Sequence, residues 1–157
     1  TTENIQSLFN QASSFEKFFK TSKGFFVAQE KLWLGKSAIG LFFENSTRTS
    51  TSFHLAASRL GIFSTELNVL SSSLEKGETV ADTVLNVLAM KPDILVIRNS
   101  HDPDLTEVLK SSKSIVVSGG DGISAHPTQA LLDAWTVRKE MGKIQGQKIL
   151  YVGDIQH

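Results

Sequence analysis

The chain has 157 residues, 40% of them hydrophobic, which is material for one α/β domain with a real core. Its 16 Lys and Arg balance its 16 Asp and Glu, so charge lends no support to a nucleic-acid-binding surface. Absence of Cys excludes a disulfide scaffold, thiolate metal sites and a cysteine nucleophile, and His54, His101, His126 and His157 show no metal-ligand spacing. No apolar run is long enough to span a bilayer and no signal-peptide pattern is present, so no membrane partner is expected and the default location is the cytoplasm. Asn45-Ser46-Thr47 is formally a glycosylation sequon, with nothing else pointing to secretion.

In chain order, Ile5, Leu8, Phe9, Ala12, Phe15 and Phe19 recur at helical spacing and predict an amphipathic helix over residues 3–20, closed by Gly24. A first strand is predicted over 35–43. Gly35-Lys36-Ser37 imitates the end of a P-loop, but Glu30 stands where the leading glycine would be required, so that motif is dismissed. Phe53, Ala56, Ala57 and Leu60 then give a helix that stops at Gly61, and Phe63 to Val69 reads as a second strand. A polar serine- and glycine-bearing segment around Lys76 precedes a helix whose apolar face is Val80, Val84, Val87 and Leu88.

After Pro92 come a short strand at Ile94–Ile97 with Arg98 just past it, a short helix over 105–109 and another strand at 115–117. The glycines of Gly119-Gly120-Asp121-Gly122 can bring backbone close to a ligand. They lead to His126-Pro127-Thr128-Gln129, where Pro127 suits the first helical position, so His126 is the expected N-cap with Gln129 beside it on one helix end. Lys148 to Asp154 is expected as a fifth strand. The resulting fold class is α/β, a parallel sheet of about four strands covered by helices on both faces, with the fifth strand opening a second domain. The expected division is a domain over 1–146 and the start of another over 147–157.

Chemistry concentrates where the first strand turns into the second helix. Ser46, Thr47, Arg48 and Thr49 sit at a helix N-terminus, where unpaired amides and the helix dipole favour an anion. Their hydroxyls add donors, and Arg48 adds a cationic fork that matches phosphate oxygens. A Ser/Thr cap followed by a solvated arginine is the plain structural alternative. Arg98 at the carboxyl end of a strand is a candidate for the same anion, with an exposed strand-end arginine as its alternative, and Lys76 could be either a ligand or a solvated lysine.

Three separated motifs raise these candidates together: Phe42-Phe43-Glu44-Asn45-Ser46-Thr47-Arg48-Thr49-Ser50, Glu75-Lys76-Gly77-Glu78-Thr79 with Ala81-Asp82-Thr83, and His126-Pro127-Thr128-Gln129-Ala130-Leu131-Leu132-Asp133. Their order and spacing resemble the carbamoyltransferase family, most closely its aspartate carbamoyltransferases, over the amino-terminal, carbamoyl-phosphate-binding domain. The resemblance implies that Ser46, Thr47, Arg48 and Thr49 hold the phosphate of carbamoyl phosphate. It assigns Thr49, Arg98 and His126 to the carbamoyl oxygen and Gln129 to the carbamoyl amino group. Ser72 or Ser73, with Lys76, would enter a neighbouring subunit's site, Lys76 also touching L-aspartate. A homotrimer with shared active sites is implied, with regulatory or dihydroorotase chains as further partners, and neither metal nor cofactor is called for.

Two departures from the family pattern stand out. Ser50 occupies the place of a second arginine belonging to the site's supporting network, and the aspartate-binding half would lie beyond His157. The expected activity is carbamoyl transfer to aspartate in pyrimidine biosynthesis, with the 157-residue chain inactive alone. An ornithine-type carbamoyltransferase, a non-catalytic phosphate-binding module and a purely structural assembly subunit are the alternatives. Joint retention of Thr49, Arg98, His126 and Gln129 disfavours the last.

Overall fold

A computed structural model describes residues 1–20, 33–44, 46–67, 79–99, 103–122 and 125–153. Within these residues the elements run α1 (Thr2–Phe19), β1 (Ser37–Phe42), α2 (Thr47–Arg59), β2 (Phe63–Leu67), α3 (Val80–Ala89), β3 (Ile94–Arg98), α4 (Pro103–Lys110), β4 (Ile115–Ser118) and α5 (Pro127–Met141). The four strands form one parallel sheet in the order β2-β1-β3-β4.

Strand alternation sends side chains to two different layers. Ile39, Leu41 and Phe43, with Leu95 and Ile97, pack against Val84 and Val87 of α3 and Leu105 of α4. Ala38 and Ile94 turn the other way, onto Ala57 of α2 and the Leu60 and Ile62 that follow the helix. Helices therefore cover both faces, as the alternating pattern predicts. α2 ends where Gly61 takes φ 78°, a left-handed conformation that favours glycine. α3 opens on a capping box in which Thr79 Oγ1 accepts from the Asp82 amide and the Asp82 carboxylate accepts from the Thr79 amide.

α1 docks on α5 through polar contacts. The Trp135 indole N–H donates to Ser13 Oγ at 3.2 Å, Arg138 donates to Asn10 at 3.0 Å while its guanidinium lies 5.5 Å from the Phe9 ring centroid, and Lys139 pairs with Glu16 at 2.6 Å. Hydrogen bonds from Lys139 and Lys20 hold the Glu16 carboxyl below its usual range.

At the amino end of the sheet, Asp93 receives Lys36 Nζ at 2.7 Å, the Ser37 amide at 2.9 Å and Ser37 Oγ at 3.1 Å. These bonds, led by Lys36, hold the Asp93 carboxyl below its ordinary value. Lys36 and Ser37 of the P-loop look-alike thus serve a structural anchor.

The expected fifth strand is a correction. Residues 148–153 form no strand, and Leu150, Tyr151 and Val152 are among the most exposed apolar residues described. A strand requires a ladder partner for its amides and carbonyls, and among the described residues none is paired with this segment.

Candidate anion-binding site

Connectivity fixes where a ligand can sit. From β1 the chain passes through α2 to β2 on one side, then returns through α3 to β3 on the other side of β1. The carboxyl ends of β1 and β3 therefore flank a topological switch point, the position at which open α/β sheets bind ligands. Glu44 and Ser46 follow the end of β1, and Arg98 is the last residue of β3, paired in register with Phe42.

At that point Arg98 is held by three partners. Its Nε donates to Glu44 Oε2 at 3.2 Å, its Nη1 donates to Ser46 Oγ at 3.1 Å, and the same Nη1 lies 3.5 Å from His126 Nε2. Arginine has no acceptor, so the His126 tautomer that satisfies its neighbours carries its proton on Nδ1. That nitrogen lies 3.4 Å from Thr128 Oγ1, whose hydroxyl in turn donates to the Ser118 carbonyl at 3.5 Å. The guanidinium is thereby oriented by a carboxylate on one side and an imidazole on the other.

Ser46 and His126 are both N-caps, of α2 and α5, yet neither side chain makes a capping bond. Both are instead directed to Arg98. A hydroxyl diverted from its own helix end leaves that end's amides and dipole available to a ligand. Thr49 is half-buried one turn into α2, while Thr47 and Arg48 are exposed.

Gly120 permits the crossing of Arg98 and His126. Its φ is 127°, and a Cβ built there would lie 3.2 Å from His126 Cδ2 and 3.4 Å from Arg98 Cζ. At Gly119 a Cβ would meet the Phe42 ring at 3.4 Å and the Phe53 ring at 3.6 Å, both of which pack beneath the site. The glycine-rich approach predicted from sequence thus serves close packing around Arg98 and His126.

Of the sequence candidates, Ser46 and His126 both meet Arg98, and Thr47, Arg48 and Thr49 form the adjoining first turn of α2. Gln129 is not drawn into the cluster. Its amide donates to Asp133 Oδ1 at 3.0 Å along the exposed face of α5, a local i,i+4 bond that needs no ligand. Ser72, Ser73 and Lys76 lie outside the described residues. Glu44 and Thr128 went unassigned in the sequence reading. Each lies beside a recognised residue, Glu44 two before Ser46 and Thr128 two after His126, but only the fold shows what they touch.

A surface depression of about 880 Å³ runs along α1 between Thr2 and Phe18 and includes none of these residues. Among the described residues no group of three or more His, Cys, Asp or Glu could hold a metal ion, and no helix is long and apolar enough to cross a membrane.

Residues 1–139 match the family described as aspartate/ornithine carbamoyltransferase, carbamoyl-P binding domain. The chain is 44% identical over 155 residues to the aspartate carbamoyltransferase catalytic subunit of Desulfitobacterium hafniense, covering 99% of this chain and 48% of that protein. Its identity to the corresponding subunit of Sulfurimonas denitrificans is 41% over 157 residues, covering 100% of this chain and 51% of that one. Among solved structures, aspartate transcarbamoylase from Trypanosoma cruzi in complex with carbamoyl phosphate and aspartate superposes with a TM-score of 0.77 at 34% identity, over 91% of this chain and 45% of that one. The same enzyme in complex with carbamoyl aspartate and phosphate gives a TM-score of 0.77 over 93% of this chain and 44% of that one. The chain spans about half the length of the curated relatives it matches.

Proposed function

We propose, from the premise that this chain belongs to the aspartate/ornithine carbamoyltransferase family through its carbamoyl-phosphate-binding domain, that it supplies the carbamoyl phosphate half of an aspartate carbamoyltransferase site. The observation that carries the reading is the convergence of Arg98, Ser46 and His126 at the switch point, beside a helix N-terminus. Aspartate is favoured over ornithine because the matched relatives are named aspartate carbamoyltransferases.

In the proposed reaction the amino nitrogen of L-aspartate attacks the carbamoyl carbon. A C–N bond forms, the bond from that carbon to the bridging phosphate oxygen breaks, and the amine proton leaves with the departing phosphate. The products are N-carbamoyl-L-aspartate and phosphate, in the service of pyrimidine biosynthesis. Negative charge grows on the carbamoyl oxygen at the tetrahedral stage, and donors fixed in advance stabilise it without reorganising. An oxygen entering between Arg98 and His126 would take the guanidinium donor that now faces Nε2. Thr49 adds a hydroxyl there, while Ser46, Thr47, Arg48 and Thr49 receive the departing phosphate. Gln129 would have to swing from Asp133 to meet the carbamoyl amino group. Such a site works by positioning and electrostatics, with no covalent intermediate on the protein.

The remaining parts of the reading follow the same premise. Residues 1–146 form the carbamoyl phosphate domain and residues 147–157 begin the aspartate domain. Ser72 or Ser73, with Lys76, completes the site of an adjacent subunit in a cytoplasmic homotrimer, which regulatory or dihydroorotase chains can join.

Calorimetric titration with carbamoyl phosphate and with inorganic phosphate tests the proposal. The chain should bind both anions weakly and form no carbamoyl aspartate when aspartate is added, whereas the two-domain protein should form it. A folded chain that binds neither anion, or that makes product alone, refutes the reading.

A further inference from the structure

Four polar side chains outside the Arg98 cluster meet where α2 lies against the edge strand β2. Ser50 Oγ donates to Glu66 Oε2. His54 Nε2 lies 3.2 Å from the same oxygen, and His54 Nδ1 lies 2.7 Å from Ser64 Oγ. Together they form a continuous relay, Ser50–Glu66–His54–Ser64, with two members on the helix and two on the strand.

Its position in α2 gives it a role. Ser50 is the fourth residue of the helix, and its amide closes the first turn by donating to the Ser46 carbonyl at 3.0 Å. That turn consists of Thr47, Arg48 and Thr49 and begins at Ser46, the partner of Arg98. Ser50 is also one of two buried polar residues among those described, 7% exposed. A buried hydroxyl must find an acceptor, and the acceptor here is a carboxylate on the sheet. Glu66 stands opposite Gly40 in the middle of β1, so the relay ties the turn to the edge strand at the level of the middle of its neighbour.

His54 keeps Glu66 in place. The polar groups that face its ring are Ser64 and Glu66 on β2. The other side chains around the adjoining cavity of about 150 Å³, among them Phe42, Phe53, Ile62 and Val96, are apolar. With Nε2–H donating to Glu66 and Nδ1 accepting from Ser64, the imidazole satisfies both neighbours at once. Ser50, read from sequence as the loss of a supporting arginine, is thus part of a different support.

We propose that Ser50, His54, Ser64 and Glu66 are positioning residues for the anion cradle, fixing the first turn of α2 against the sheet in the orientation that receives phosphate. This rests on reading that turn as the phosphate site. None of the four is among the residues assigned to the phosphate or to the carbamoyl oxygen.

The test titrates the full 157-residue chain with inorganic phosphate by calorimetry and follows amide hydrogen exchange in the phosphate-free protein. His54→Ala should raise the Kd for phosphate about tenfold, while His54→Gln, whose amide can still bridge Glu66 and Ser64, should stay within about twofold of the parent. Exchange at Ser50 and Thr51 should quicken in His54→Ala and not in His54→Gln. Asp93→Asn, at the opposite end of the sheet, should reduce stability and leave the Kd unchanged. An unaltered Kd in His54→Ala overturns the proposal, as does an equal loss of affinity in Asp93→Asn. If the parent chain binds no phosphate, the phosphate-site reading fails by itself, and unchanged exchange at Ser50 and Thr51 then refutes the positioning role. Should His54→Ala not fold, Ser64→Ala, which removes only the outer hydroxyl, is read with the same expected directions.

Discussion

Gly120→Ala separates steric assembly of the site from general stability. At φ 127° an alanine is strained, at a cost of about 1–3 kcal/mol in folding free energy. The new methyl would also stand 3.2 Å from His126 Cδ2 and 3.4 Å from Arg98 Cζ and Nη1, inside the comfortable separation of carbon atoms. Both side chains must move outward by a few tenths of an ångström. Arg98 Nη1 already sits 3.1 Å from Ser46 Oγ and 3.5 Å from His126 Nε2, so such a shift degrades its aim. A hydrogen bond to a charged group contributes about 1.5–3 kcal/mol, so losing that alignment should weaken phosphate binding roughly tenfold to a hundredfold. Gly142→Ala provides the comparison, because Gly142 has φ 77° and a Cβ there meets nothing within 4 Å. Urea unfolding should show both variants destabilised, whereas calorimetric titration with inorganic phosphate should show weaker binding in Gly120→Ala alone. If Gly120→Ala binds phosphate as tightly as the parent, the argument that this glycine keeps Arg98 and His126 in register is wrong.

Arg98→Ala should depress turnover of the two-domain protein by about a hundredfold or more, since it removes a donor from the developing oxyanion. Arg98→Lys should recover little of that loss, because an ammonium cannot hold Glu44 and Ser46 with one planar fork; a steady-state assay of carbamoyl aspartate formation decides both. Leu95→Ala, at a fully buried position between α3 and the sheet, should cost about 2–5 kcal/mol in urea unfolding, and a loss below 1 kcal/mol would contradict the packing described. The Asp93 carboxyl is held below its ordinary value chiefly by Lys36, so its contribution to stability is present above the unfolded carboxylate pKa, near about 4, and is lost as the pH falls through the folded value. Thermal unfolding should therefore grow less sensitive to acid in Asp93→Asn, and an unchanged acid slope would remove Asp93 from the account.

Elements with a local cause were legible in the sequence. β1 and β3 announced themselves as short apolar runs, α2 and α3 as periodic faces, and Gly61 and Pro127 as a stop and a start. Sheet order was not legible, because Leu41 and Ile97 carry no mark saying that β3 returns to the far side of β1. The docking of α1 was equally hidden: the Trp135–Ser13 bond joins residues 122 positions apart, and neither side chain forecasts the other. Lys148 to Val152 misled for the opposite reason. Its composition is that of a strand, but β structure is a property of a pair, and an apolar run without a partner gains no ladder.

The same distinction divides the site. Arg98 at a strand end and His126 before Pro127 were found because strand ends and helix starts are local features that bind ligands for known physical reasons. Glu44, 54 residues from Arg98, was passed over even though it stands inside the motif, because its task is to orient a partner brought to it by sheet pairing. Gln129 shows how a local bond can occupy a side chain expected to meet a ligand, since Asp133 lies one turn away and is within reach without any ligand. Ser50 shows the limit of reading a residue by what it replaces. Beside an arginine-bearing pattern it looks like a deletion of charge. In the fold it is a buried donor whose carboxylate acceptor, Glu66, also receives His54, so the support proposed for the turn resides on β2 and one turn further along α2. A substitution at one position of a motif is thus interpretable only with the residues that meet it across the helix–sheet interface, and those are set by register, not by spacing along the chain.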